Sequence, residues 1–197
     1  MTNDLGKIYY GESYFKPYPC GMPNHVAMDC ALEIVRKYEI KTGDIAEVII
    51  HVPHGAVGRS YYAKPFIIRD FPHGDAIFSY PYSVATALLH GSVGLPNFTE
   101  EAIHDPDVNA ITDNTKLVEL PDDGGPPNMG VTLTVKMKDG KEYTVARTPR
   151  REWVKKPTPR DELIAKFWHQ VDFSQTVSKK MRRRYWIWWR KWKRLKM

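Results

Sequence analysis

Between Ala27 and Tyr38 the apolar residues recur at helical spacing, with Ala27, Cys30, Ala31, Ile34, Val35 and Tyr38 on one face. That period predicts an amphipathic helix over 26–39, capped by Asn24 and stopped between Lys41 and Gly43. The pattern then changes to a β-branched run, AEVIIHVP, bounded by Gly43 and Pro53, which predicts a strand with His51 and His54 at its end. A Gly- and aromatic-rich loop follows to about Asp75. In FSYPYSVATALLHG, Tyr82, Ala85, Leu88 and Leu89 form one stripe, Pro81 suits a first turn, and Gly91 suits a C-cap. This segment predicts a buried helix with a polar N-terminus.

Thr99 opens a short helix, DPDVNAITD predicts another, and TKLVEL predicts a strand. Two alternating strands in GVTLTVKMKDGKEYTVART meet at Asp139 and Gly140, a strong hairpin signal. Thr158, Pro159 and Asp161 supply a cap, an N1 proline and an acidic first turn for a helix carrying Leu163, Ile164, Phe167, Trp168 and Val171. Strands and helices alternate without a regular βα repeat, so the expected class is α+β, a small mixed sheet with flanking helices.

Composition narrows the environment. The 197 residues are 42% hydrophobic, enough for one core, and no apolar run approaches the length of a membrane span. The opening MTNDLGKIYYGES lacks a secretory pattern and the two cysteines form no disulfide framework, so a cytoplasmic location is expected. The net charge of +6 is unevenly distributed: positions 177–197 hold ten Lys or Arg and no acid, leaving 19 basic against 23 acidic groups elsewhere. Four of the six tryptophans, Trp186, Trp188, Trp189 and Trp192, share that tail.

Phosphate-loop, dinucleotide, zinc-protease and serine-hydrolase motifs are absent. Cys20, His25, Cys30, His51 and His54 match no common metal spacing, and Cys30 lies on the apolar helix face, so no metal is expected. His90, beside Gly91, reads as a helix-end cation. The segment YFKPYPCGMPNH, positions 14–25, holds prolines at 17, 19 and 23 that stiffen an extended backbone. It is either a plain connector or an arm that presents side chains in fixed directions.

The succession of FKPYPC with His25 five residues after the cysteine, ALEIVRK, HVP, FSYPYSVATALLHG and the Asp-Gly hairpin resembles the C-terminal domain of the MmgE/PrpD family, from about Tyr14 to Ser178. The resemblance implies the lid domain of a two-domain, cofactor-free enzyme acting on small di- and tricarboxylates, with a helical domain supplying the proton-transfer bases. By motif position it implies Lys16 and Tyr82 as catalytic and Lys16, His25 and Ser79 as substrate-binding, with Lys16 and Tyr82 on one surface facing a cleft. Gly21 and Asn24 stand where a second cysteine and a threonine are common, which leaves the substrate open.

Residues 1–13 are then an N-terminal arm, 14–178 the lid domain, and 179–197 a basic, Trp-rich tail outside the fold. The first functional expectation is the lid half of a 2-methylcitrate dehydratase-like lyase whose helical half comes from a separate chain; a homo-oligomer stays open. Decarboxylation of cis-aconitate, or epimerisation, is the alternative chemistry. An inactive truncated remnant or a free-standing binding domain competes with the enzyme reading. A membrane or nucleic-acid role for the tail is disfavoured, since Trp186, Trp189 and Lys193 share one helical face and the aromatics do not segregate from the charges.

Overall fold

A computed structural model describes residues 16–57, 61–121, 130–148, 159–178, 180–182, 184 and 187. Tyr14, Phe15, the expected cap Thr158, the N-terminal arm and the four tail tryptophans lie outside the described residues. The chain divides into two compact units, 1–157 and 158–197.

In the first unit, α1 (Met22–Tyr38) buries Ala27, Cys30, Ala31 and Ile34 completely, as the spacing predicts. Its start is a correction: the N-cap is Gly21, with Pro23 in the first turn, and Asn24 caps nothing. The Asn24 amide is drawn instead into a buried tertiary contact, where it satisfies two acceptors on other segments. The helix also ends earlier than expected. Glu39 takes the left-handed conformation (φ 48°) and returns its N–H to Val35 O, while Thr42–Asp44 form a short 3-10 turn.

Strands β1 (Ile45–Val52), β2 (Thr115–Glu119), β3 (Val131–Met137) and β4 (Glu142–Arg147) form a sheet of order β2-β1-β3-β4. β1 runs parallel to β2, with Ile50 beside Leu117, and antiparallel to β3, with Ile50 opposite Leu133. β3 and β4 are the expected hairpin, turned at Asp139 and Gly140. The architecture is α+β with a mixed sheet. Val48, Ile50, Val52, Leu133 and Val135 face the helices and are fully buried. On the opposite face Glu47 pairs with Lys116 and Lys136, and the Thr134 and Thr144 hydroxyls share a hydrogen bond, the polar dress of a solvated sheet face.

The remaining helices are α2 (Pro72–Ile77), α3 (Tyr80–His90), α4 (Glu100–Ile103) and α5 (Pro106–Asp113). α3 is buried over its first nine residues, so it forms the middle of the helical layer, packed against α1 and α5. Ser79 caps it and Gly91 closes it at φ 62°, a conformation in which glycine has no Cβ penalty. In the second unit α6 (Arg160–Ser174) starts with Pro159 at the N-cap. Its apolar side chains are not core: Leu163, Ile164, Trp168 and Val171 are half-buried and Phe167 is exposed. No helix among the described residues is long and apolar enough to cross a membrane.

Candidate functional site

The N-termini of α1 and α3 are neighbours, joined through α2. Gly21 N–H donates to Ile77 O (2.9 Å), and the Asn24 side-chain amide donates to the same carbonyl (3.1 Å) and to Ser83 Oγ (2.9 Å). Two partly positive helix ends therefore meet at one edge of the helical layer.

The proline arm runs across this junction. Lys16 is exposed at its start and its ammonium donates to Cys20 O at 3.3 Å, folding back over Pro17, Tyr18 and Pro19. The Tyr18 hydroxyl donates to Asp29 Oδ1 on α1 at 2.7 Å, and its ring stands edge-on to the His25 ring (5.3 Å, 82°). His25 is fully buried beneath that ring. Ser79 is also buried, and its hydroxyl oxygen accepts the Tyr82 N–H at 3.2 Å as the α3 cap.

Tyr82 corrects the expected geometry. It lies in the first turn of α3 as anticipated, yet its side chain is 0% exposed and so cannot share an open surface with Lys16. The ring sits between Phe66 (5.0 Å) and Phe98 (5.8 Å), and the hydroxyl donates to Asn97 O at 2.6 Å, with Ala102 O at 3.2 Å. Burial pushes its phenol up to about 12, against a smaller lowering by the Thr86 hydroxyl; Asp105 adds to the rise. This tyrosine ties α3 to the segment before α5.

The phenol that does meet the arm is Tyr62. A methyl group added at Gly21 would stand 2.3 Å from Tyr62 Cε1 and 2.6 Å from its oxygen, so the ring lies directly on the Gly21 backbone. Only a residue without a side chain admits that approach. The ring is held by edge-on contact with Phe78 (5.5 Å), and Tyr62 O accepts the Tyr80 N–H at 3.1 Å. Partial burial, and secondarily Cys20, raise the Tyr62 phenol above its ordinary value, so it stays protonated at neutral pH. Lys16 and Tyr62 thus both reach the Cys20–Gly21 dipeptide. The preceding loop is locked by Asp75, whose buried carboxylate accepts from the Arg69 backbone N–H (2.8 Å) and the Tyr61 hydroxyl (3.1 Å) and pairs with the Arg69 guanidinium (3.1 Å). The segment YYAKPF carries no hydrophobic period, so its place is not legible from local sequence.

Comparison with known proteins identifies the domain. The model of the MmgE/PrpD C-terminal domain matches residues 18–188. Cis-aconitate decarboxylase from Mus musculus is 26% identical over 163 residues, covering 78% of this chain and 31% of that protein. Its Homo sapiens counterpart is 25% identical over 162 residues, covering 78% and 32%. The chain therefore spans about a third of the length of these curated relatives. With a family model covering most of its length, this chain belongs to the MmgE/PrpD family, through that family's C-terminal domain.

Proposed function

We propose that this domain forms the lid half of a cofactor-independent lyase acting on small di- and tricarboxylates, 2-methylcitrate dehydratase-like in chemistry, and that it works with a helical domain supplied by another segment or chain. The observation that carries the reading is the approach of the Lys16 ammonium and the Tyr62 phenol to one dipeptide beside two helix N-termini. Fixed positive charge and aligned N–H dipoles suit a substrate with several carboxylates. When a base from the helical half removes a proton α to a carboxylate, negative charge builds on the carboxylate oxygens, where the Lys16 ammonium stabilises it. The electron pair then expels the β-hydroxyl, which leaves as water with the proton of a phenol such as Tyr62. His25 and Ser79 support this surface from below, one beneath Tyr18 and one at the α3 cap.

A second reading, decarboxylation, is favoured by the identity of the two relatives. There a carboxylate leaves as CO2 and the same phenol protonates the carbanion. The test is turnover of 2-methylcitrate and cis-aconitate by the chain alone and joined to a helical half. The chain alone is expected to be inert. The assembly is expected to turn over one acid, with Lys16→Ala and Tyr62→Phe each lowering kcat/KM on the order of 10²-fold or more. CO2 release against hydration-dehydration of the double bond separates the two chemistries. Equal turnover by the assembled wild type and Lys16→Ala overturns the reading.

A further inference from the structure

Three polar residues recur at four-residue spacing on α1, His25, Asp29 and Glu33, beside a face of the helix that is buried at Ala27, Cys30, Ala31 and Ile34. Each takes its partner from another segment. The His25 ring meets the Tyr18 ring, Asp29 accepts the Tyr18 hydroxyl, and Glu33 accepts Arg147 Nε (2.9 Å) and its Nη2 from β4. A cleft of about 250 Å³ opens beside this ladder, lined by Tyr18, Asp29, Leu32, Glu33, Arg36 and Arg147 among others. Arg147 engages Glu33, so Asp29 is the acid that grips the arm.

The mechanical consequence follows from the flanking prolines. Pro17 and Pro19 fix two φ angles around Tyr18, so pinning the far end of the Tyr18 ring restricts the whole arm, and Lys16 is only two residues away. A hydrogen bond to a carboxylate is stronger than one between neutral groups. We propose that Asp29 is the positioning residue of the Lys16 arm: by holding the Tyr18 hydroxyl, its carboxylate sets where the Lys16 ammonium stands, without itself touching substrate. The inference rests on the reading of Lys16 as the substrate-facing cation.

Two measurements test it. Backbone 15N relaxation on the full chain reads arm order directly at Tyr18 and Cys20. Order parameters are expected near 0.85 in the wild type and below about 0.6 in Tyr18→Phe and Asp29→Ala. The double variant should be no looser than either single one, and Asp29→Asn, which keeps a carbonyl acceptor, should retain most of the order. In the assembled enzyme the same two substitutions should raise KM for the carboxylate substrate about tenfold, equivalent to roughly one charged hydrogen bond, while kcat falls less; Glu33→Gln should leave KM unchanged. Unchanged arm order in Tyr18→Phe overturns the proposal, as does a loosened arm with unchanged KM in an enzyme that Lys16→Ala impairs. If Lys16→Ala has no effect on turnover, the carboxylate reading of the site fails, and the relaxation data alone still decide whether Asp29 holds the arm.

Discussion

Tyr82→Phe separates a structural phenol from a chemical one. The substitution removes a single oxygen from a fully buried ring, leaving Asn97 O without the hydroxyl that donates to it at 2.6 Å. Ala102 O keeps its Asp105 N–H, so one carbonyl is orphaned. An unsatisfied buried acceptor costs about 1–3 kcal/mol. Taking about 1.5, the thermal midpoint at pH 8 should fall by roughly 3–6 °C for a domain of this size.

The pH dependence supplies the sharper test. The phenol is pushed up to about 12 in the folded state, against an ordinary value near 10 in the unfolded chain. The folded state thus holds its proton more tightly, and the stabilisation is fully present below pH 10 and lost as pH rises through 12. At pH 11 the wild type should already have lost about 1.4 kcal/mol through this group, a loss that phenylalanine does not share. The gap between wild type and Tyr82→Phe, measured by urea unfolding at pH 8 and pH 11, should therefore nearly close. A constant gap would refute burial of the hydroxyl, and no gap at either pH would refute the hydrogen bond.

Gly21→Ala faces no backbone penalty, since φ −64° and ψ 141° suit alanine, so its cost of about 1 kcal/mol is purely steric and should disappear in a Tyr62→Ala background, a non-additivity that thermal unfolding can read. Asp75→Ala should cost about 2 kcal/mol by losing three hydrogen-bonded contacts, whereas Arg69→Ala, whose side chain is 57% exposed, should cost under about 1 kcal/mol; equal losses in urea titrations would contradict the asymmetry. Burial pushes the Cys30 thiol up to about 12, so at pH 8 it should resist a thiol-disulfide reagent until urea unfolds the chain; prompt reaction of the folded protein would show that the helix face is open.

Periodic segments were legible in the sequence, because one face of each is buried and the spacing records it. The core stripe of α1, the β1 run and the Asp-Gly hairpin all follow from that rule. The misreadings came where a polar side chain serves a distant partner. Asn24 has the chemistry of a cap and the position of one, but its amide is used by Ile77 and Ser83, more than fifty residues away. Tyr82 was assigned to a surface by its motif, although Ala85, Leu88 and Leu89 on its own stripe already pointed it inward. Tyr62 was illegible for the opposite reason. It sits in an aperiodic loop, and its place is set by the Asp75 knot and by the missing side chain of Gly21, neither of which leaves a local pattern.

The central claim, that Lys16 and Tyr62 present a carboxylate-binding surface at the junction of α1 and α3, is tested most directly by 1H–15N NMR titration of the chain with tricarballylate, an unreactive tricarboxylate. The account predicts saturable shifts concentrated at Lys16, Tyr18, Cys20, Gly21 and Tyr62 that vanish in Lys16→Ala. Shifts centred elsewhere, such as Arg36 or the basic residues beyond Val177, or shifts that persist in Lys16→Ala, would contradict it.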